Sequence, residues 1–257
     1  METGGAYYSG ANGWQGWAAI SGTVDNLDYR LSGGLENQGD RRVPTGQYTS
    51  TGRLDGSSFS DDDLSAHLGY TFGEDSNHYV ALKAEQHRLD TESWTDPSYL
   101  QPPITSFNID LPKRDLRKIG LYYDGKDLGP LIRNVHVDAY YQTIDRLFLN
   151  EVVRKPSLPM TVGVTSTSDD TIVDFGGTAQ IDMEIHPDHD TIVGINYLND
   201  NLQTEKTSTT TTRMGPAPPM TSSSSEMDDA SIRTASAFVQ DEWSFAPDFK
   251  FTAGARY

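Results

Sequence analysis

"SAFVQDEWSFAPDFKFTAGARY", residues Ser236 to Tyr257, reads as a strand, a brief turn and a second strand. In the second strand Phe251, Ala253, Ala255 and Tyr257 fall on one face; around the first, Ala235, Ala237 and Val239 do the same. Side chains alternate across a strand with period two, so each row is one apolar face. Between them, Ala246-Pro247-Asp248 combines a fixed φ with a side chain that hydrogen-bonds its own backbone, which suits a tight turn.

The same alternation recurs along the chain, and no amphipathic helix of three or more turns interrupts it. Tyr29, Leu31, Gly33 and Leu35 oppose Arg30, Ser32 and Gly34, while Leu64, Ala66, Leu68, Tyr70 and Phe72 oppose Ser65, His67, Gly69 and Thr71. Further apolar rows are Val80/Leu82/Ala84, Ile119/Leu121/Tyr123, Val135/Val137/Ala139/Tyr141, Gly177/Ala179/Ile181/Met183/Ile185 and Val193/Ile195/Tyr197. Trp14 to Ser21 adds a segment with two apolar faces. The chain is all-β, with about ten strands, most near the roughly 9 to 11 residues that a tilted strand needs to cross a bilayer.

Connection lengths alternate. Short turns are expected at Thr23 to Asn26, Gly73 to Asn77, Asp124 to Arg133, His186 to Asp190 and Phe245 to Asp248; long polar loops at Gln38 to Ser57, Leu89 to Lys113, Asn150 to Asp170 and Asn199 to Ser231. Short turns on one rim and long loops on the other describe an antiparallel outer-membrane barrel, whereas a soluble sandwich mixes lengths at both ends. Tyr29, Tyr70, Phe72, Tyr123 and Trp243 sit beside the short turns, where an interfacial girdle belongs, although strands are rich in aromatics in any case. The opposite face carries Lys83, Glu85, His87, Asp138, Gln142, Asp174, Gln180, Asp182 and Glu184, which a wet or plugged lumen tolerates and an apolar core does not. The run "KTSTTTTRMGPAPPMTSSSS" in the last long loop cannot bury a core and is expected to be a mobile outer loop.

Composition removes several classes. A net charge of −17 from 37 acidic and 20 basic residues excludes nucleic acid as a partner, because phosphate binding needs a clustered positive surface. No apolar run approaches the roughly 18 residues of a membrane helix. Zero cysteines leave no disulfide, thiolate site or Cys nucleophile. No nucleophile elbow, HExxH helix or phosphate loop is present, so the chain is read as neither an enzyme nor a cofactor protein. His186-Pro-Asp-His189 could ligate a metal but reads better as turn residues, so no metal site is assigned. Asp61-Asp62-Asp63 could hold Ca²⁺ or bridge lipopolysaccharide through divalent cations, against the plainer reading of a solvated acidic edge.

"FVQDEW", the brief turn and "FKFTAGARY" together resemble a hairpin of TonB-dependent outer-membrane receptors. "GWQGWAAISGTVDNLDYRLSGGLENQGDRR" (Gly13 to Arg42) resembles the early barrel strands of that family, and "VHVDAYYQTIDR" (Val135 to Arg146) resembles a mid-barrel strand of its iron, siderophore and haem receptors. The resemblance implies a larger transmembrane barrel of about 22 strands with a plug. Residues 1–257 would then be a partial barrel domain, with the plug and remaining strands outside the chain. It also implies a Gram-negative outer-membrane location, contact with lipid and lipopolysaccharide, and TonB engaged through the plug. The imported cargo would be a ferric siderophore or haem. Two alternatives stay open: a complete small barrel acting as passive porin or adhesin, and a soluble lectin-like module in which the apolar rows are a core.

For such a receptor the relevant chemistry is capture. Ferric catecholates are anionic and aromatic, so Arg, Tyr and Trp in loops and upper lumen suit them through charge pairing and stacking. The candidates are Arg41, Arg42, Tyr48, Arg53, Trp94 and Tyr99, with His87 near the top of its strand. Were the cargo haem, His87 or Tyr99 would be the candidate axial ligand.

Overall fold

The computed structural model describes residues 1–46 and 48–257. Eleven strands form one sheet: β1 (Glu2–Tyr8), β2 (Gly13–Val24), β3 (Leu27–Gln38), β6 (Phe59–Phe72), β7 (His78–Ser93), β8 (Ile104–Lys126), β9 (Ile132–Ser157), β10 (Met160–His186), β11 (His189–Met214), β12 (Met220–Ala246) and β13 (Phe249–Arg256). Each pairs antiparallel with its neighbour in chain order. Two short strands, β4 (Arg41–Arg42) and β5 (Arg53–Leu54), form a separate ribbon inside the β3–β6 connection. Among the described residues β13 does not pair with β1, so the sheet is open.

Ten of these strands match segments read as strands in the sequence, nine by alternation and β2 as the segment with two apolar faces. The eleventh, β1, escaped because "ETGGAYY" lacks an alternating apolar row; it is recruited by the neighbouring β2 edge, from Glu2 opposite Ala19 to Tyr8 opposite Gly13.

Register aligns every apolar row on one face. Tyr29 lies opposite Leu68, Leu68 opposite Leu82, Leu82 opposite Leu121, and Leu121 opposite Ala139. The row continues through Gly177, Tyr197 and Ala235 on β10, β11 and β12. These side chains stay uncovered: Leu64 is 52% exposed, Leu121 53% and Ile195 61%. The only apolar residues buried among those described are Ala11, Ala19 and Ala81. A sandwich would cover this face with a second sheet, so the soluble-module alternative is corrected: the apolar rows face lipid rather than a core.

Aromatics mark the short-turn rim as expected. Tyr70, Phe72, His78 and Tyr123 follow one another with ring separations of 6.1, 5.0 and 6.1 Å. Further round, His189 stacks on Trp243 at 5.7 Å, followed by Phe245 and Phe249. The turns themselves are tight; Pro187-Asp188 joins β10 to β11, with His186 paired to His189. His189 Nδ1 lies 2.8 Å from the Asp241 carboxylate, a cross-strand contact that fixes the ring at this turn.

The other face is polar and cross-linked. His67 Nε2 lies 2.7 Å from Asp28 Oδ2 and 2.9 Å from the Tyr79 hydroxyl. Gly69 makes room for this cluster, since a Cβ there would collide with both Tyr79 and Asp28. Lys83 sits 4.3 Å over the Tyr122 ring and Lys118 5.0 Å over that of Tyr140, while Gln142 donates to Asp174 at 2.6 Å.

The long connections differ from expectation in kind. Asn150 to Asp170 is almost entirely strand, with only Leu158-Pro159 between β9 and β10. Asn199 to Ser231 is likewise the paired ends of β11 and β12, turning at Gly215 to Pro219. The Thr/Ser run expected to be mobile is therefore ordered hairpin. A two-layered core is not required for this: β-branched Thr favours extended backbone, and neighbouring strands satisfy each backbone group. Thr209 lies between Thr165 and Ser223, and its hydroxyl is 3.1 Å from that of Ser223. From Val173 up to Met160, β10 continues roughly 40 Å past the apolar band.

Candidate functional site

Two connections meet at the outer rim. The first, between β3 and β6, is held in place from Asp40, whose Oδ1 accepts the amides of Gly56 and Ser57, both at 3.0 Å. Gly56 has φ of 83°, a conformation that glycine adopts without cost and that turns the backbone back towards β6. The second, between β7 and β8, is a single 3-10 turn at Pro97–Tyr99 capped by Asp96, which accepts the Ser98 amide at 2.9 Å. Ser58 joins the two connections by donating to Glu92 at 3.0 Å, with a backbone bond from the Glu92 amide to the Ser58 carbonyl.

Between them lies a cavity of about 260 Å³ lined by Tyr48, Arg53, Asp55, Trp94, Leu100 and Phe107, among others. Tyr48 and Trp94 meet edge to face, their centroids 5.8 Å apart at 87°. Arg53 and Asp55 enter no ion pair within 4.0 Å among the described residues, so opposite charges and three aromatic rings line one small space.

The structure brings together three of the seven expected positions, Tyr48, Arg53 and Trp94. Arg41 and Arg42 line a different depression of about 590 Å³ with Tyr7, Tyr8 and Gln38. Tyr99 is on the rim turn, 68% exposed, and does not line the cavity. His87 stands on the inner wall with Nδ1 3.2 Å from Asp61 Oδ1. His87 and Tyr99, the alternative candidates for an axial ligand, thus lie on different surfaces, and neither lines the cavity.

Phe107 and Asp55 went unnoticed in the sequence. For Phe107 a signal existed: Phe107, Ile109 and Leu111 alternate, which marks the start of β8 inside what reads as a loop. Asp55 carries no such mark, because only the β4–β5 ribbon turns it to the cavity.

The acidic triplet also resolves. On β6, Asp62 shares the outward face with Leu64, while Asp61 and Asp63 face inward, so the three carboxylates cannot converge on one Ca²⁺. Burial raises the Asp61 carboxyl above its ordinary range, with His87 opposing the rise and Asp63, Glu36 and Asp62 adding to it.

Comparison with known proteins now decides the family. Residues 3–257 match the family model described as "TonB dependent receptor-like, beta-barrel". The chain belongs to the TonB-dependent receptor β-barrel family. Members of this family are outer-membrane transport proteins rather than enzymes, which places this sheet in that membrane with its apolar face to lipid. Among solved structures, the RagAB peptide importer in the "open-open" state is similar over 96% of this chain and 31% of its own, at 12% identity and a TM-score of 0.59. The FrpB iron transporter from Neisseria meningitidis (F3-3 variant) is similar over 98% of this chain and 44% of its own, at 13% identity and a TM-score of 0.47. The copper transporter OprC matches over 98% and 44%, at 11% identity and a TM-score of 0.43. At these identities the likeness is one of fold. The chain spans less than half of each of these structures, and no curated protein matches it.

Proposed function

We propose that this chain forms part of the barrel wall and outer mouth of a TonB-dependent receptor that imports an anionic, aromatic iron complex. The observation that carries this is the cavity between the β3–β6 and β7–β8 connections, where Arg53, with no ion pair among the described residues, stands beside the Tyr48–Trp94 edge-to-face pair. A guanidinium and ring faces suit an anionic aromatic group, and Asp55 on the same wall favours a ligand that also carries a donor. At about 260 Å³ the cavity takes one ring rather than a drug-sized body. A catecholate-type siderophore ring therefore fits better than whole haem, and neither His87 nor Tyr99 lines the cavity to ligate haem iron.

The edges of the sheet support a partial barrel. The outer edges of β1 and β13 carry no partner strand among the described residues, and an unpaired edge is not tolerated in lipid. Further strands of the same receptor, and a plug through which TonB acts, would lie outside this chain.

The test is uptake by cells carrying the whole receptor, with and without TonB, on ferric catecholate, ferric hydroxamate or haem as sole iron source. Growth on the catecholate that needs TonB is expected. Trp94→Ala and Arg53→Ala should each weaken binding about tenfold, by analogy with buried aromatic and Arg anchors. Growth on none of the three sources, or unchanged binding in both variants, would sink the iron-complex reading.

A further inference from the structure

The inner wall carries a pair of like charges at the height of Phe175 and Tyr197, the outward rings that close the apolar band on its long-hairpin side. Asp174 on β10 lies between Gln142 on β9 and Asp200 on β11. It is only 7% exposed. Gln142 Nε2 donates to Asp174 Oδ2 at 2.6 Å, but Oδ1, closed off from solvent, meets no donor among the described residues. Across the β10–β11 pair the half-buried Asp200 carboxyl reaches that of Asp174. Like charges directly opposite one another repel, and a buried carboxylate oxygen without a partner is costly.

The basic side chains nearby do not relieve the pair. Neither Asp174 nor Asp200 enters an ion pair within 4.0 Å among the described residues. Lys118, in the same row beyond Gln142, sits 5.0 Å over the Tyr140 ring. Arg146, higher on β9, donates to Asp170 at 3.0 Å, and Arg233 on β12 donates to Asn199 at 3.0 Å on the outward face. Two carboxylates in contact, in a chain of net charge −17, call for a cation from solution.

We propose that Asp174 and Asp200 form a binding site for a hard divalent cation of the Ca²⁺ class on the lumen side of the barrel wall. Two carboxylates balance the charge of such an ion, Asp174 Oδ1 gains the partner it lacks, and the more open Asp200 leaves room for coordinating water. The hydrogen bond from Gln142 favours the ionised, accepting form of Asp174, and so favours a metal ion over a proton shared between the two carboxyls. Bound there, the ion ties β10 to β11 where both strands leave the membrane. The site is independent of the cargo.

In the experiment, the whole receptor in detergent, stripped with EDTA, is titrated with Ca²⁺ while hydrogen exchange is read on β10 and β11 by mass spectrometry. Exchange around Ile172 to Gly176 and Leu198 to Leu202 should slow, with a midpoint in the roughly 10⁻⁴ to 10⁻³ M range of extracellular Ca²⁺ sites. At ten times the midpoint concentration the slowing should be about tenfold. Asp174→Asn and Asp200→Asn should each abolish the response, while Asp61→Asn, on the same wall, leaves it unchanged. A wild type that does not respond overturns the proposal without recourse to a variant; it is the result expected if the carboxyls share a proton or a basic group from outside this chain covers them. So does a response that survives in both Asn variants, or one matched by Na⁺ at equal ionic strength, which reduces the effect to screening.

Discussion

Asp61 shows what a single carboxylate does at the top of the inner wall. Burial raises it, and Asp63, Glu36 and Asp62 act in the same direction against the opposing charge of His87. A carboxyl raised in the folded state is ionised at a cost: the penalty is present at neutral pH and vanishes as pH falls below the ordinary carboxylate range. Asp61→Asn should therefore slow hydrogen exchange at the upper ends of β6 and β7 at pH 7, by no more than about 0.5 kcal/mol for a half-exposed group. The difference should vanish near pH ~3, where the wild-type carboxyl is protonated. An equal effect at both pH values would mean that shape, not charge, governs the site. Such behaviour is partly legible in the sequence, where three consecutive Asp stand out. Only strand alternation, which sends Asp62 outward and its neighbours inward, decides that they act as wall charges rather than one cation site.

On the scale of elements, the four strands β9 to β12 do two jobs. Their short-turn halves carry the apolar rows through the membrane, and their other halves form a sheet above it held by Thr/Ser contacts and by pairs such as Lys206 with Asp228 at 2.7 Å. Replacing residues 207–225 by an Asn-Gly turn keeps Lys206 opposite Glu226 and leaves the membrane rows untouched. Unchanged heat-modifiable migration of the whole receptor is expected on electrophoresis. Faster exchange is expected in β10 from Val162 to Thr167, which loses a partner strand. Loss of the folded band would show instead that the barrel depends on this extension. Composition pointed the wrong way here, because low complexity reads as disorder unless the neighbouring strand that pairs with it is known.

For the whole molecule, the exposed apolar face sets solution behaviour. With Leu31, Leu68, Leu82, Leu121, Ile195 and Phe251 all uncovered, the receptor should fractionate with outer membranes and stay monodisperse only in detergent or lipid. A preparation that remains monodisperse in plain buffer would contradict a lipid-facing band. The open edges at β1 and β13 act in the same direction, since unpaired backbone in or near lipid seeks a partner strand.

The sequence by itself determined ten of the eleven strands of the main sheet, their apolar and polar faces, and the rim on which the turns are short. These depend on a local rule, the period-two alternation of side chains, which needs no knowledge of what lies opposite. Tertiary structure alone decided that no second sheet covers the apolar rows, that the Thr/Ser run is paired hairpin, and that Tyr48, Arg53 and Trp94 meet while His87 and Tyr99 stand apart. Each of these depends on which strands are neighbours and how two distant connections fold over one rim, and pairing between segments far apart in the chain leaves no periodic trace in either one.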